Sequence, residues 1–464
     1  MLEDVSDVEI DITGSCNLQC TYCYLKAGDK YTNRKKSLSK NDIDNFIDIY
    51  EKKHRGCVKV SFFGGEPLIE FSKIRYTINR LISKIDHKND LSFRIITNGT
   101  LIDDEIAKFC HDNKVHIQVT LDGKKQTHDL QRRYKKGGVS FSKIVNNIKI
   151  LQKYNVKYQI RVTLTANTDL PYDILRNYSD IGILQNNEMV VFGIVTPVTT
   201  NDSNAVGQQQ LLDIVDSIIL SYKEKGNLNS TIYNVQRIIN TFLSQKKATR
   251  CGIGRNKITV SFNGDFFPCH RFVSHSKYLI GNTRNGIDKE KIENINIQNI
   301  YRDHCSECQY IFLCGGVCIH EYNNDLSANY LCLFNKTIIT AVLRYMIKNK
   351  NEFQMKNIPY DNRCGKNDLP SAQRTVMTRC PNITTIDLKE EGLLCNHDKR
   401  YALNSMGMAI WDLINGHRTA QQIAQEIANV CEVEFDTIKD DIYGQLAAFQ
   451  KLGLVEEVQA ESHA

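Results

Sequence analysis

The chain has 464 residues, with 59 Lys and Arg against 53 Asp and Glu, so a strongly charged polyelectrolyte is excluded. The charge is unevenly spread: from Pro381 onward there are 6 basic and 14 acidic residues, a net −8 that leaves +14 on residues 1 to 380 and predicts a separate C-terminal module. Sixteen cysteines behind the acidic opening MLEDVSDVEI, which has no apolar signal core, argue against a secreted disulfide scaffold and predict a cytoplasmic protein whose clustered cysteines bind metal.

The first two hundred residues alternate between short β-branched runs and amphipathic stretches. Strands are predicted at VEIDIT (8–13), VKVSFFGG (58–65), SFRIITNG (92–99), VHIQVTLDG (115–123), YQIRVTLTA (158–166) and MVVFGIV (189–195). Helices are predicted between them, at 42–53, 73–85, 106–114, 141–154 and 172–184, where apolar residues recur three and four apart. Six βα units imply a parallel sheet covered by helices, here a partial (β/α)6 barrel spanning residues 1–200. Another amphipathic helix at 209–226 opens a bridging segment (201–245), a cysteine-rich region follows (246–345), then a polar linker (346–380) and the acidic module (381–464). No run of about 18 apolar residues stands out, so no membrane span is expected.

Chemistry in such barrels sits at the C-terminal ends of the strands. Cys16, Cys20 and Cys23, in CNLQCTYCY, follow the first strand, and GGEP (Gly64, Gly65, Glu66, Pro67) follows the second. TNGT with Asn98 follows the third, and TLDG with Thr120 the fourth. Three thiolates with no fourth nearby suit three irons of a cubane cluster, leaving one iron open, whereas a structural zinc site wants four protein ligands. The CxxxCxxC spacing, with Tyr22 before the third cysteine, resembles the signature of radical S-adenosylmethionine (SAM) enzymes. The resemblance implies that the open iron chelates SAM and that a 5′-deoxyadenosyl radical removes hydrogen from a substrate. It also implies that Gly64, Gly65 and Glu66 receive the SAM ammonium, that Asn98 and Thr120 meet the ribose, and that Arg132 or Arg161 holds a carboxylate.

The second cysteine region holds Cys251, Cys269, Cys305, Cys308, Cys314, Cys318 and Cys332, with a GxxxxC before the second and CGGVC at 314–318. This pattern resembles the SPASM domain of peptide and protein maturases, which implies two auxiliary 4Fe–4S clusters beside the SAM-binding one. By that resemblance Cys305, Cys308, Cys314 and Cys332 hold the distal cluster and Cys251, Cys269 and Cys318 the near one. No further cysteine stands between 252 and 263, so the near cluster is left with an open iron or a non-cysteine ligand. Sulfatase-maturing relatives carry a basic Asp directly after the cysteine matching Cys269; here the residue is His270, a candidate base. Cys57, Cys110, Cys364, Cys380, Cys395 and Cys431 lack ligand spacing and read as structural.

The acidic module reads as two or three short strands, a helix with Trp411, a helix capped by Thr419, a long last helix and a final strand, a winged-helix pattern. RYALNSMGMAIWDLING, HRTAQQIA and LGLVEEV resemble the peptide chaperone of pyrroloquinoline quinone biosynthesis. That resemblance implies a recognition element for the leader of a ribosomal precursor peptide, bound as an added strand. The net −8 opposes nucleic-acid binding. The expected activity is therefore radical cross-linking of such a peptide, through carbon–carbon or carbon–sulfur bonds, with flavodoxin or ferredoxin as electron donor. A sulfatase-maturase-like formylglycine-forming enzyme and a non-catalytic leader-binding scaffold are the alternatives.

Overall fold

The computed structural model describes residues 5–23, 37–51, 58–85, 91–197, 199, 202–225, 230–244, 253, 256–273, 275–288, 290–291, 305, 308–316, 318–322, 324–349, 351–353, 356–357, 375–381, 383–389, 391–396 and 399–459. Cys57, Cys251 and Cys364 lie outside them. The chain divides into two compact units, one of Met1–Asn240, Ala248–Ser306 and Cys314–Ile338, the other of Thr241–Lys247, Glu307–Leu313 and Ile339–Ala464.

In the first unit, strands β1 (Asp7–Thr13), β2 (Val58–Gly64), β3 (Leu91–Thr97), β4 (His116–Thr120), β5 (Tyr158–Leu164) and β6 (Glu188–Ile194) appear where the sequence predicts them. They alternate with α1 (Lys40–Glu51), α2 (Phe71–Lys84), α3 (Asp104–Asp112), α4 (Lys125–Gln131), α5 (Phe141–Lys153) and α6 (Pro171–Asp180). The parallel sheet is longer than six strands. After α7 (Gln208–Lys223), β7 (Ser230–Ile232) joins β6 and leads into α8 (Tyr233–Ser244), and β8 (Lys257–Val260) joins the outer side of β1. Antiparallel β9 (Asp265–Phe267), β10 (Gly281–Asn282) and β11 (Gly286–Ile287) extend it, giving the order β11-β10-β9-β8-β1-β2-β3-β4-β5-β6-β7.

The strands alternate rather than run continuously apolar. In β5, Tyr158, Ile160, Val162 and Leu164 are buried while Gln159, Arg161 and Thr163 are half-buried. In β1, Val8, Ile10 and Ile12 take one face and Glu9 and Asp11 the other. Helices bury the apolar stripes that such a sheet requires, with Ile43, Phe46 and Ile47 on α1 and Ile144, Ile148 and Leu151 on α5. Each fully buried Ile or Leu contributes roughly 1.5–3 kcal/mol. The other face carries charged and amide side chains, among them Glu9, Asp11, Gln159 and Arg161.

The helix Asp325–Lys348 qualifies the expectation that no span is apolar enough for a membrane: one 18-residue window has mean hydropathy 1.3, with 44% of it buried. Its apolar positions, among them Ala328, Ile338, Val342 and Leu343, are core residues.

In the second unit a four-stranded sheet has the order β12 (Lys356–Asn357), β16 (Lys399–Asn404), β15 (Glu391–Asn396), β14 (Thr384–Asp387). A separate pair joins β13 (Thr375–Arg379) to β17 (Val455–Gln459). The predicted linker is thus partly structured: β13 falls within it, because Met377 buries its side chain to 1% exposure while its neighbours pair with β17. Three helices, Ser405–Leu413, Ala420–Val430 and Phe435–Lys451, pack around Trp411. Trp411 donates from Nε1 to Thr385 Oγ1 (2.9 Å) and meets Phe449 edge-on at 5.5 Å. Thr419 caps the second of these helices as predicted, its Oγ1 accepting from the Gln422 amide (3.3 Å) while Gln422 Oε1 accepts from the Thr419 amide (2.8 Å).

Candidate active site

The chain leaves β1 through the cysteine segment, which is laced to residues 131–135. The amides of Gln19 and Thr21 donate to the carbonyls of Arg133 (2.8 Å) and Gln131 (3.0 Å), and that of Lys135 to Asn17 (3.0 Å). Cys16 Sγ accepts from the Leu18 amide at 3.4 Å and lies 4.0 Å from Asn98 Nδ2. Burial pushes the Cys16 thiol up to about 11; the Leu18 amide opposes this, while Glu66, Cys20 and Cys23 add to it. A cation bound beside Cys16, as metal ligation provides, would oppose that rise and favour its thiolate.

GGEP holds this segment from the side. A Cβ on Gly65 would stand 2.3 Å from the Ser15 carbonyl oxygen, and one on Gly64, at φ +130°, 2.3 Å from that of Thr13. The Gly65 and Glu66 amides donate to Thr13 and Ser15 carbonyls, both at 2.8 Å. The Glu66 carboxylate is fully buried and accepts from Thr97 Oγ1 (2.6 Å), the Asn98 amide (2.7 Å) and the Leu68 amide (3.1 Å). Burial raises its pKa against the lowering effect of those donors. Pro67 starts the short helical turn Pro67–Glu70 that supplies the Leu68 amide. Asn98 donates to Asn17 Oδ1 (2.8 Å) and accepts at Oδ1 from the Thr100 amide (2.9 Å) and hydroxyl (2.6 Å). The first three strand ends therefore form one network around Cys16.

At the fourth strand end the hub is Asp122, a residue the sequence reading passed over. It is fully buried, and its Oδ1 accepts from the Thr163 amide at 2.7 Å. Its Oδ2 accepts from the Tyr22 hydroxyl and pairs with Arg132 Nη1 at 3.4 Å, while Arg132 Nη1 also donates to Tyr22 Oη (2.6 Å). Burial alone would lower the Arg132 pKa, but Tyr22, Cys20 and Asp122 hold it well above its usual value. Arg132 Nε, buried, has no partner. Arg161 stands in register with Thr120 and lies across Gly193, where a Cβ would meet Nη2 at 2.3 Å. Burial lowers the Arg161 pKa, with Asp122 and Tyr22 opposing and Arg271 adding to the fall. The two arginines thus differ: Arg132 is tied by Tyr22 and Asp122, whereas Arg161 makes no hydrogen bond or ion pair among the described residues.

His270 begins the turn after β9 and returns to β1. Its Nδ1 is 2.8 Å from Glu9 Oε2, and Glu9 Oε1 accepts from Lys257 Nζ at 2.6 Å. Burial opposes protonation of His270, while Glu9 and Cys269 raise the imidazole to about 10. The neighbouring Arg271 pairs with Glu321 (2.5 Å), linking the Cys269 turn to the helix Ile319–Tyr322 that follows Cys318. Burial opposes ionisation of Glu321, but His320, Ser327 and Arg271 hold its carboxyl at about 2.

Gly264 of the GxxxxC motif, at φ +82°, faces Thr283 Oγ1, which a Cβ would approach to 2.8 Å. Gly315 and Gly316 of CGGVC have φ of +72° and +91°, turning the chain between Cys314 and Cys318. Cys305 is buried and Cys308, Cys314, Cys318 and Cys332 are half-buried. Cys110 is pushed up to about 12 and Cys395 to about 11, in both cases chiefly by burial, as inert structural thiols are.

The Radical SAM superfamily model matches residues 10–177 and the model for Coenzyme PQQ synthesis protein D (PqqD) matches residues 391–455. A cysteine-type anaerobic sulfatase-maturating enzyme of Clostridium perfringens is 26% identical over 345 residues, 69% of this chain and 91% of that protein. The radical SAM cyclopropyl synthase TigE of Paramaledivibacter caminithermalis is 23% identical over 348 residues, 68% of each chain. Among solved structures, native anSMEcpe with bound AdoMet and Cp18Cys peptide superposes with a TM-score of 0.62 at 22% identity, covering 75% of this chain and 99% of that one. The α/β fold is that of radical SAM enzymes.

Proposed function

We propose that this enzyme, a radical SAM domain joined to a PqqD domain, matures a ribosomally made precursor peptide by closing an intramolecular cross-link in it. The observation that carries the reading is the presence in one chain of a three-thiol strand-end site and a peptide-chaperone-like module. Cys16, Cys20 and Cys23 hold a 4Fe–4S cluster, which with SAM supplies a hydrogen-abstracting 5′-deoxyadenosyl radical. Gly64 and Gly65 leave room for the cysteine segment, and Glu66 fixes Asn98 and the end of β3 around it. Arg132, held by Asp122 and Tyr22, and Arg161 offer cationic donors for carboxylates. Cys305, Cys308, Cys314 and Cys332 hold one auxiliary cluster, and Cys251, Cys269 and Cys318 the other, in a SPASM-type region. Flavodoxin or ferredoxin supplies the electron. The C-terminal module binds the leader as an added strand. At one edge of its sheet, among the described residues, β12 pairs Lys356 and Asn357 with Tyr401 and Ala402.

The sulfatase-type alternative is supported by the 26% identity to a sulfatase-maturating enzyme. His270, standing where sulfatase-maturing relatives carry Asp, and the PqqD domain weigh against it. Anaerobic co-expression with the short peptide encoded beside this chain, followed by mass spectrometry, decides. Loss of two hydrogens with every thiol still alkylated identifies a carbon–carbon link, and the same loss with one thiol gone a thioether. An unmodified peptide, together with formylglycine formation on a sulfatase peptide, refutes cross-linking.

A further inference from the structure

Four carboxylates are buried on the polar side of the sheet or at its strand ends: Glu9, Asp11, Glu66 and Asp122. Three are saturated. Glu9 is shared by Lys257, Thr259 and His270; Glu66 accepts three hydrogen bonds; Asp122 is held by Thr163, Tyr22 and Arg132. Asp11 is 3% exposed and accepts no hydrogen bond, and its Oδ1 is sealed from solvent without a partner. A buried carboxyl left this way costs free energy that a satisfied one does not, so it marks a place where another group is meant to sit.

Its position says which group. Asp11 shares its strand face with Glu9, which carries His270 beside Cys269, and the chain leaves the strand at Thr13 for Cys16. It therefore lies between the two cysteine segments that the proposed function assigns to the SAM-binding and near auxiliary clusters. A peptide that gives its hydrogen to one and its electron to the other passes this point.

We propose that Asp11 is the catalytic base that takes the proton released when the cross-link closes, an inference that rests on the maturase reading above. Hydrogen abstraction leaves a substrate carbon radical and 5′-deoxyadenosine. Closure then forms a bond between that carbon and a partner atom X, breaks X–H, and sends the proton to Asp11 and one electron to an iron–sulfur acceptor. X is a cysteine sulfur or an aromatic carbon. His270 is engaged elsewhere, its Nδ1 2.8 Å from Glu9 Oε2. The charged groups facing Asp11 are Glu9 on its own strand and His270 from the turn after β9; across β2 its register partner is Phe63. Burial, reinforced by Glu9 and opposed by His270, raises the carboxyl to about 7, which suits a base working near neutral pH.

The test compares wild type with the near-isosteric Asp11→Asn, using side-chain-deuterated precursor peptide. In the variant, deuterium still reaches 5′-deoxyadenosine, leader affinity and the spectrum of the reduced clusters are unchanged, and cross-linked product per deoxyadenosine falls by about 100-fold or more. Asp11→Glu, which keeps the carboxyl, regains part of the product. The wild-type product rate shows a limb near pH 7 that Asp11→Asn lacks. Product from Asp11→Asn at the wild-type rate overturns the assignment, as does loss of deuterium transfer in step with product. A wild-type enzyme that makes no cross-link overturns the maturase reading and this inference together, whereas product from both proteins overturns this inference alone.

Discussion

At the strand ends of the first unit, Glu66, Asp122 and Arg132 are withdrawn from solvent, Glu66 held by Thr97 and Asn98 and Asp122 by Tyr22 and Arg132. The centre of the C-terminal module is Trp411, packed with Met377, Leu394, Ile410, Ile423, Leu446 and Phe449, with the Arg379 guanidinium 4.9 Å over its ring. One region spends stability to fix charged groups where chemistry happens; the other is an ordinary apolar core that presents its strand edges. Buried charge networks are sensitive to the loss of a single partner, whereas apolar cores and helix caps lose stability in smaller steps. The two regions should therefore respond differently to substitution, and each prediction below tests that contrast.

The largest effect is expected from Cys16→Ala. SAM cleavage is abolished while leader affinity stays within about twofold of wild type, because the thiol serves only the first region. Anaerobic SAM-cleavage assays and a binding titration read the two separately, and a parallel fall in affinity would erase the distinction.

Asp122→Ala comes next. It strands Arg132 as an uncompensated buried charge and should cost about 3–5 kcal/mol. Thermal unfolding of the first unit moves down sharply, while fluorescence of Trp411, the single tryptophan, reports an unchanged C-terminal transition. An effect under about 1 kcal/mol would mean that the Tyr22–Asp122–Arg132 network is surface-like.

Much of this contrast was legible in the sequence. Six strands and their helices were visible because β-branched residues alternate with polar ones and end in glycine motifs. β7 has three residues and β8 four, too short for periodicity to show, so the sheet is longer than read. β13 looked like linker because only its pairing with β17 makes it a strand. The hubs were hidden for a different reason. Tyr22 and Asp122 are 100 residues apart, and Glu9 meets His270 across 261. In DVEIDIT the signal was present: three carboxylates, Asp7, Glu9 and Asp11, share one face of an otherwise apolar strand, and burying them is costly unless something answers them.

Asp11→Asn sharpens the comparison through pH. The folded pKa of Asp11 is raised, to about 7 from 3.8, so the folded state keeps its proton where the unfolded state has lost it. Stability from this group is present below the unfolded value and is lost as pH rises toward 7. Asparagine has no such titration. The variant should match wild type at the acid end and exceed it at pH 8, with a gap that grows by on the order of 2–3 kcal/mol from pH 5 to 8. A gap independent of pH would show that Asp11 finds a partner in the folded protein.

The smallest effect tests the other side. Thr419→Ala removes one half of a reciprocal cap, leaving the Gln422 amide without its side-chain acceptor. A cap of this kind is worth about 1 kcal/mol, which lowers the melting point of a module of this size by roughly 4–8 °C. The loss should appear in the Trp411 transition alone, because the cap serves a helix whose buried side chains Ile423 and Ile427 belong to that cluster. Thr419 also bridges to Val376 of β13, so the cap and the β13–β17 pair meet at one place. If a leader adds to the β12–β16–β15–β14 sheet, as proposed, its affinity stays within about twofold of wild type when measured below the transition. If affinity instead falls tenfold or more with the module still folded, recognition runs through the β13–β17 pair and the capped helix, and the sheet edge is not where the peptide binds.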